Sequence, residues 1–495
     1  MYRIRTGLLL ATLTLTLGAC SEQADEAVAA APAPAPAPVA ASEPLRNALL
    51  ICIDTVRADT FFALGDLRED RLTQWQDSAL VFTQAQSPAP WTVPALGSAF
   101  SGQWPVQHNA GSLAGVEYTS LGESRPRLMR KGVKTIAIAA RQAGMTTNVV
   151  SASGWTFEAK NGVGINRGFD NFHKFVTGGL DEMGVVLWEP MLAKWRELIS
   201  AQGDEERALT FLHLMDAHNW HMAYEPEIDA RIATFSDEQL ANYRATAPEP
   251  TCRDESSLIC RRYLVYVHAI EVLRNAIADI LDTLKENGQL KDTAVVLFSD
   301  HGEEFDDHIG DGRKPTKNRS YPFLGHGQSL YQEQLHVPLL VWHPDEQGRV
   351  VDTPVSLVDI APSTANWLGL RFRSPDVQGR LLNRPASSED AERVLYGSHV
   401  AEGEKQLAVR LGNTKSIWYV ASDRTDIFDL VVDPAELHSA PTNALVMRFD
   451  RHFLEHEQMQ QVDASVSAKF TDEQLKRLQS IGYLQGVEND EADPE

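Results

Sequence analysis

Two short stretches place an aspartate directly after a run of apolar residues. "ALLICIDTVRAD" carries Asp54, and "TAVVLFSDHGEEF" carries Asp300 with His301 beside it. A carboxylate oxygen and an imidazole nitrogen at one centre suit zinc or manganese better than calcium, which prefers oxygen ligands. An isolated Asp–His pair also fits a polar turn with a helix-capping aspartate, so the interpretation depends on the other motifs.

A threonine lies where a nucleophile could be activated. Thr92 in "APWTVPALGSAFSG" comes two residues before Pro94, and proline is favoured in the first turn of a helix. A hydroxyl at that point lies at the positive end of a helix dipole, and a bound metal would lower its pKa further. The alternative for Thr92 alone is a helix N-cap.

Two further segments are rich in histidine. "LHLMDAHNWH" contains His213, Asp216, His218 and His221, and "FLGHGQSLYQEQLHVPLLVW" contains His326 between two glycines. A single histidine is more often a packing residue than a ligand. Four such segments together supply enough ligands for two metal centres.

Apolar runs of strand length alternate with helical patterns along most of the chain. Strands are predicted in "NALLICID", "TNVVSAS", "ALTFLHLM", "TAVVLFSD" and "VPLLVW", and helices in "VKTIAIAARQAG", "VVLWEPMLAKWRELIS" and "RYLVYVHAIEVLRNAIADILDTLKENG". The alternation predicts an α/β fold with a mostly parallel central sheet flanked by helices. Asp54, Asp216 and Asp300 each follow a strand, at the edge where such sheets place active sites.

The two ends of the chain do not continue the strand–helix alternation. From about Ser388, "VLYGSHV", "LAVRLGN" and "KSIWYVAS" predict a small C-terminal antiparallel sheet, followed by a helix in "TDEQLKRLQSIGYL". The N-terminal "MYRIRTGLLLATLTLTLGACSEQ" is typical of a secretory signal and too short to span a bilayer. An Ala-Pro repeat after it predicts an extended tether. The predicted divisions are therefore a signal peptide at 1–20, a linker at 21–44, a catalytic domain at 45–387 and a C-terminal subdomain at 388–495.

The signal segment ends in "LGAC", which resembles the lipobox of bacterial lipoproteins. That resemblance implies a lipid on Cys20 and a membrane as partner, with an ordinary signal peptide as the alternative. Ser21 favours the outer membrane, facing the periplasm, over the inner membrane. In an exported chain a disulfide is permitted, and Cys252 and Cys260 are close enough in sequence to close a small loop. Cys52, inside the first apolar strand, is predicted to be a buried thiol.

The composition limits the possible partners. The chain has 495 residues, 43% of them hydrophobic, enough for one large domain with an appendage. The formal net charge of −23 argues against binding to nucleic acid, which needs a basic surface. An anionic ester remains possible as a substrate if cations line its pocket.

Eight segments in order resemble the sulfatase family of the alkaline-phosphatase superfamily, over roughly Leu45 to Gly486. They are "IDTVRAD", "WTVPALGSAFSGQWPVQH", "NRGFDNF", "SDHGEEF", "GHGQSLYQEQLHVPLLV", "VSLVDIAPSTANWLG", "DLVVDPAEL" and "LKRLQSIGYL". The resemblance implies the alkaline-phosphatase-like α/β fold, an anionic ester substrate and two divalent metal ions, zinc or manganese rather than calcium.

The resemblance also implies roles for individual residues. Asp54, Asp300 and His301 would hold one metal, with the Thr92 oxygen as the nucleophile bound to it. Across the pocket, relatives bind a second metal or grip the substrate anion, and the matching residues are Asp216, His218 and His326. His221 is a spare candidate because the Asp-to-His spacing varies among relatives. Apart from the resemblance, His308 in "DDHIGDGRKPTKNRS" is a candidate for substrate binding because this loop is predicted near the mouth of the pocket, with a solvated surface loop as the alternative.

This sequence departs from the formylglycine sulfatases at three positions. Those enzymes carry Cys or Ser followed by x-Pro-x-Arg, whereas Thr92 and Leu96 occupy these places here, and Thr55 replaces a second aspartate. Formylglycine cannot be made from threonine. The residue set instead resembles the phosphodiesterase, phosphatase and phosphoethanolamine-transferase branches, whose threonine attacks phosphorus.

The sequence therefore predicts a hydrolase of phosphate mono- or diesters that acts through Thr92. A sulfuric ester hydrolase and a phosphoethanolamine-type transferase of envelope glycans or lipids are the alternative enzymes. A noncatalytic binding lipoprotein on the same fold is the alternative of another class.

Overall fold

The computed structural model describes residues 43–68, 70–111, 117–118, 127–153, 163–175, 187–220, 225–248, 251–308, 324–385, 387–390, 392–401 and 403–459. Cys20, His221 and the helix predicted in "TDEQLKRLQSIGYL" lie outside these residues. Within them, no helix has the length and apolar character needed to cross a membrane.

The strands are short. In chain order they are β1 (Asn47–Ile53), β2 (Leu80–Phe82), β3 (Ala85–Gln86), β4 (Glu117–Tyr118), β5 (Thr146–Ser151), β6 (Asn171–Lys174), β7 (Ala208–Leu214), β8 (Thr293–Phe298), β9 (Glu304–Phe305), β10 (Leu324–Gly325), β11 (Leu339–Trp342), β12 (Arg349–Val351), β13 (Val355–Ser356), β14 (Val394–Ser398), β15 (Gly403–Glu404), β16 (Gln406–Leu411), β17 (Thr414–Tyr419) and β18 (Arg424–Asp429). Strands β1, β8 and β11, at the middle of the central sheet, are buried along their whole length.

The helices range from one turn to eight turns. They are α1 (Ala58–Arg68), α2 (Arg71–Gln76), α3 (Thr92–Ser101), α4 (Pro105–His108), α5 (Ile136–Gln142), α6 (Trp188–Ala201), α7 (Asp216–Trp220), α8 (Glu225–Ile232), α9 (Asp237–Ala245), α10 (Leu258–Glu286), α11 (Gln332–Leu335), α12 (Ile360–Trp367) and α13 (Asn443–Gln458).

Eight strands form the central sheet, in the order β12-β2-β11-β8-β1-β7-β5-β6. Strands β6, β5, β7, β1 and β8 pair in parallel, and β11 runs antiparallel to both of its neighbours. The predicted α/β class with a mostly parallel sheet is confirmed. All five strands predicted for this sheet are present, and the reversed direction of β11 is the feature that their apolar composition did not reveal.

Side chains of the central strands alternate between two apolar cores, as the two faces of a pleated sheet require. Along β1, Leu50 and Cys52 belong to one core, while Ile51 and Ile53 belong to the other. Helices α3, α5 and α12 cover the first face, and α1, α6 and the long α10 cover the second. Burial on both faces explains why these strands are almost uniformly apolar in sequence.

The predicted small antiparallel sheet is also present, in the order β14-β16-β17-β18. Its apolar face packs with Phe449 and Phe453 of α13 and with Trp104 and Val106 at α4. The helix that accompanies this sheet in the described residues is therefore α13. The sheet and the central fold belong to one compact unit.

The structure joins Cys252 to Cys260 by a disulfide with an S–S distance of 2.08 Å, as the sequence predicts. The bridge lies at the start of α10, whose N-cap Ser257 accepts a hydrogen bond from the Cys260 N–H. Nearby, the Thr251 hydroxyl donates to the Phe305 carbonyl at 3.0 Å. The bridged loop is thereby tied to the segment that follows β8.

Candidate metal centre and active site

The carboxyl ends of β1 and β8 bring three of the predicted ligands together. Asp54 follows β1, and Asp300 and His301 follow β8, its parallel neighbour. The His301 Nε2 lies 3.5 Å from the Asp54 Oδ1 and 3.5 Å from the Asp300 Oδ2. All three side chains are fully buried, and one ligand atom from each lies within 4.8 Å of the others.

The oxygens of this cluster fit a divalent cation. Asp54 Oδ1 and Asp300 Oδ2 are buried and make no hydrogen bond with any described group. A buried carboxylate oxygen without a donor is costly, and a metal ion would give both oxygens a partner. Burial and the charge of Asp54 raise the pKa of Asp300 to about 8, because two carboxylates this close resist ionising together. A cation between them would remove that repulsion.

His213 fixes the first aspartate of the cluster. Its Nε2 donates to the Asp54 Oδ2 at 2.9 Å, and its Nδ1 lies 3.2 Å from the Ser151 hydroxyl. Although burial opposes ionisation, the hydrogen bond from His213 and the charges of nearby histidines hold the pKa of Asp54 well below its ordinary value. Asp54 is thereby kept as an oriented carboxylate, the state that binds metal.

Thr92 is the first residue of α3, and its side chain reaches the metal cluster. Its Oγ1 lies 3.3 Å from the His301 Nε2, and the residue is buried. Trp91 occupies the N-cap position instead, and its side chain makes no capping hydrogen bond. The hydroxyl therefore lies at the positive end of a ten-residue helix, next to the predicted metal ligands.

Thr55 and Leu96 occupy two of the positions at which this chain departs from formylglycine sulfatases. Thr55 has a left-handed backbone with φ of 64°, which is strained for a β-branched residue. Its hydroxyl donates to the Asp54 carbonyl at 2.7 Å, and its N–H points to the Asp300 Oδ1 at 3.4 Å. Leu96 is buried in the apolar core. Thr55 thus positions the aspartates through its backbone, and Leu96 only packs.

Three imidazole rings, those of His301, His326 and His218, lie next to one another at the centre. The ring of His326 lies 4.4 Å from that of His301 and 5.2 Å from that of His218, measured between centroids. Glu303 accepts a hydrogen bond from the His326 Nδ1 at 2.9 Å. The rings are placed to meet an anion held at the metal cluster.

The residues predicted to hold a second metal do not lie as close to one another as those of the first cluster. Asp216 begins α7, and its Oδ1 accepts a hydrogen bond from the Trp188 N–H at 3.3 Å. Among the described residues, ligand atoms approach within 4.8 Å in three groups, and none of the three contains Asp216, His218 or His326. A second metal at these residues stays a prediction, as does the spare role of His221.

The other two groups that reach metal-ligand spacing are Cys52–His213–Asp300 and Glu304–His308–Glu333. Burial and the charges of Asp300 and Asp54 raise the pKa of the Cys52 thiol well above its ordinary value, so it remains a protonated, poor ligand. His308 stacks on Tyr331 with ring centroids 3.8 Å apart and faces Glu333. Its contact with substrate stays a prediction.

Two residues that orient the site were not assigned roles from the sequence. His213 was visible as part of a histidine-rich segment, and the β1–β7 register places it opposite Cys52, two residues before Asp54. Glu303 lies within the "SDHGEEF" motif. The signal that could have identified His213 is strand register. In parallel pairing, a residue near the end of β7 lies beside the end of β1.

The stability of the metal-free protein should depend on pH through Asp300. Its folded pKa of about 8 is above the ordinary 3.8, so the native state holds a proton that the unfolded state has lost. Stability therefore falls as pH rises from about 4 to about 8, and added divalent metal should restore it by replacing that proton. Thermal unfolding from pH 5 to pH 9, with chelator or with zinc, measures this.

Asp300→Asn is the matched control, since it removes this titrating group and should abolish the fall below about pH 6.5. A fall above that pH should remain, because the pKa of His308 is also raised, to about 9. A metal-free wild type whose melting temperature rises between pH 5 and pH 8 would contradict the assignment.

Known proteins share parts of this sequence and its fold. The sulfatase family matches residues 46–370. A stretch of 189 residues is 26% identical to the choline-sulfatase of Rhizobium meliloti (strain 1021), covering 36% of this chain and 33% of that protein. A stretch of 147 residues is 33% identical to an endo-4-O-sulfatase of Bacteroides thetaiotaomicron, covering 28% of this chain and 26% of that protein. The matched stretches span about a quarter to a third of these curated relatives.

Solved structures extend the likeness over most of the chain. A phosphonate monoester hydrolase from Silicibacter pomeroyi superposes with a TM-score of 0.56 at 18% identity, covering 84% of this chain and 96% of that one. A Bacteroides thetaiotaomicron protein from a locus for glycosaminoglycan metabolism gives a TM-score of 0.61 at 17% identity, with coverage of 84% and 96%. At these identities the likeness shows a shared fold.

Proposed function

This chain belongs to the sulfatase family and is an ester hydrolase, and on that premise we propose that it cleaves a phosphate mono- or diester through Thr92. The observation that carries the proposal is the position of the Thr92 hydroxyl, 3.3 Å from the His301 Nε2 and beside the two buried aspartates. A hydroxyl so placed suits attack on phosphorus better than the aldehyde-hydrate chemistry of formylglycine enzymes, which threonine cannot supply.

Asp54, Asp300, His301 and the Thr92 oxygen would hold the metal. When bound, the metal neutralises charge on the substrate and lowers the pKa of the attacking hydroxyl. Phosphoryl transfer needs mainly positioning and charge neutralisation, and both are available from groups of this kind. We propose zinc or manganese, because the cluster combines carboxylate oxygens with an imidazole nitrogen.

The chain's own groups would act in two steps. Thr92 Oγ1, having lost its proton, attacks phosphorus, and the bond to the leaving oxygen breaks, so that the leaving group departs as its alcohol after taking up a proton from water. Water then hydrolyses the phosphothreonine, which releases the phosphate product and returns the Thr92 hydroxyl. His218 and His326 bind the non-bridging oxygens of the substrate from the other side of the centre. Glu303 holds the His326 ring in place through its hydrogen bond at 2.9 Å. A second metal at Asp216, His218 and His326 is the alternative arrangement.

Sulfate ester hydrolysis is the second candidate, and the names of the relatives favour it, since both curated proteins compared above are called sulfatases. The physical argument against it is that a sulfo-threonine is harder to reopen than a phosphothreonine. A phosphoethanolamine-type transfer would use the same first step with an acceptor alcohol in place of water.

We also propose that the protein is exported and held at the outer membrane by a lipid on Cys20, facing the periplasm. The disulfide between Cys252 and Cys260 supports an oxidising compartment. The proposed attachment to the membrane is through that lipid.

The substrate class is tested by comparing kcat/KM on p-nitrophenyl phosphate, bis-p-nitrophenyl phosphate and p-nitrophenyl sulfate, with and without chelator. We expect a phosphate ester to be turned over at least about tenfold faster than the sulfate, a difference of about 1.4 kcal/mol in transition-state stabilisation. Chelation should abolish turnover, and zinc or manganese should restore it.

The outcomes separate the alternatives. A preference for the sulfate would replace the phosphate proposal with the sulfatase one. Transfer of phosphate to an added alcohol in preference to water would favour the transferase. No turnover of any ester, together with no bound metal, would favour the noncatalytic lipoprotein.

A further inference from the structure

A second cluster of metal-binding side chains lies in the segment after β8, outside the candidate active centre. Glu304 belongs to β9, His308 follows four residues later, and Glu333 belongs to α11. Their exposed fractions are 0%, 5% and 6%. One ligand atom from each lies within 4.8 Å of the others.

The spacing inside this cluster resembles that of ligands around an ion more than that of a hydrogen-bonded pair. His308 Nδ1 and Glu333 Oε1 are 3.3 Å apart. Neither ring nitrogen of His308 nor the Glu333 Oε1 makes a well-formed hydrogen bond with a described group. Two ligands bound tetrahedrally at ~2.1 Å from one ion are themselves about 3.4 Å apart. The observed distance matches that arrangement.

The charges of the side chains around the cluster are also compatible with a bound divalent cation. Arg57 binds Asp307 through its Nη1 at 2.9 Å, and Lys415 binds Glu436 at 2.9 Å, so these two cations are matched with carboxylates. Glu304 and Glu333 are the further carboxylates that face His308. The Glu304 Oε2 accepts a hydrogen bond from the neutral Gln334 Nε2 at 3.1 Å, and Glu333 also feels the charges of Arg57 and Lys415. An ion of charge +2 would balance the two glutamates with a neutral imidazole.

The alternative is a buried imidazolium that pairs with these carboxylates. Burial alone would lower the pKa of His308, but the charges of Glu333, Glu304 and Asp307 raise it to about 9. A metal ion and a proton thus compete for the same ring.

The two clusters lie on opposite sides of one extended segment. His301 and Glu303 face the candidate active centre, and Glu304 faces the second cluster, as alternation along an extended chain requires. Between them, the Gly302 N–H donates to the Gln334 carbonyl at 2.9 Å, and a Cβ on Gly302 would lie 2.0 Å from the Glu333 carbonyl oxygen. The second cluster therefore joins the active-site segment to α11.

We propose that Glu304, His308 and Glu333 bind a divalent transition-metal ion of the zinc or manganese class, as a site separate from the candidate active centre. The ion ties the segment 301–308 to α11 from behind the centre. The site does not depend on whether the substrate is a phosphate or a sulfate ester.

The test uses the full exported chain, stripped with chelator and titrated with Co²⁺ or Zn²⁺. Bound metal is counted by mass spectrometry, and the visible absorption of Co²⁺ reports its coordination. In Asp300→Ala, which removes a ligand of the active centre, we expect about one ion per chain to remain. Adding His308→Ala or Glu333→Gln to that background should remove this ion and lower the melting temperature measured with metal.

His452→Ala is the matched control, because His452 pairs with Glu455 at 2.9 Å on α13 and lies outside both clusters. It should leave the metal count unchanged. Glu333→Gln keeps the volume of the side chain, so it decides the matter if His308→Ala fails to fold. Asp300→Ala protein that binds no ion, or that binds one ion with or without His308 and Glu333, would overturn the site in favour of the buried ion pair.

Discussion

Replacing Thr92 by alanine should lower kcat by about 10³-fold or more on whichever ester the enzyme prefers. The hydroxyl is the group proposed to attack the substrate, and it lies 3.3 Å from the His301 Nε2 of the metal cluster. The loss should fall on kcat, because Asp54, Asp300 and His301 still supply three ligands to a saturating metal and the imidazole rings proposed to bind the anion remain. Steady-state kinetics with saturating metal measure it.

Thr92→Ser is the matched control, since it keeps the hydroxyl and should retain most of the activity. Wild type, but not Thr92→Ala, should accumulate a phosphothreonine when quenched with acid during turnover. Unchanged kcat in Thr92→Ala protein with its full metal content would refute the nucleophile assignment.

Replacing Asp54 by asparagine should remove the metal from the active centre and lower activity by a similar ~10³-fold. The amide keeps the size of the side chain but supplies a weaker neutral oxygen to the ion. It also changes the partner of His213, which now donates to the Asp54 Oδ2 at 2.9 Å. Metal content and the melting temperature after metal addition provide readouts that do not depend on activity.

His213→Gln serves as the graded comparison for Asp54→Asn. His213 lies beside a ligand without being one, so its loss should weaken metal affinity by only about 10–100-fold, a deficit that excess metal overcomes. If Asp54→Asn kept both its metal and its activity, Asp54 would not be a metal ligand.

Much of the candidate site was predictable because it depends on strand ends. Asp54 and Asp300 each follow a buried apolar run, and parallel strands deliver such residues to one edge of the sheet. That rule needs no knowledge of side-chain contacts. It therefore placed Asp54 and Asp300 at one edge of the sheet, while Pro94 indicated the helix start near Thr92. The grouping of Asp54, Asp300 and His301 around one metal came from the family resemblance.

The remaining features depend on conformations that residue type disfavours or leaves open. Threonine rarely adopts φ of 64°, so the backbone role of Thr55 could not be inferred from its identity. The direction of β11 depends on the path of the preceding chain, which its four apolar residues do not encode. Glu303 and Glu304 are consecutive glutamates, so residue type does not distinguish their roles. The extended backbone points their side chains to opposite sides, so that Glu303 supports His326 and Glu304 faces His308.

Gly302, the last residue of "DHG", is constrained by its packing against α11. A glycine between two acidic or imidazole side chains suggests flexibility, but here the backbone of α11 leaves no space for even a methyl group at this position. Every amino acid that a point mutation can introduce at codon 302 would therefore push apart the segment and α11. A substitution at His301 or Glu303 would change a ligand or its support and leave this packing in place, whereas any substitution at Gly302 disturbs the packing itself.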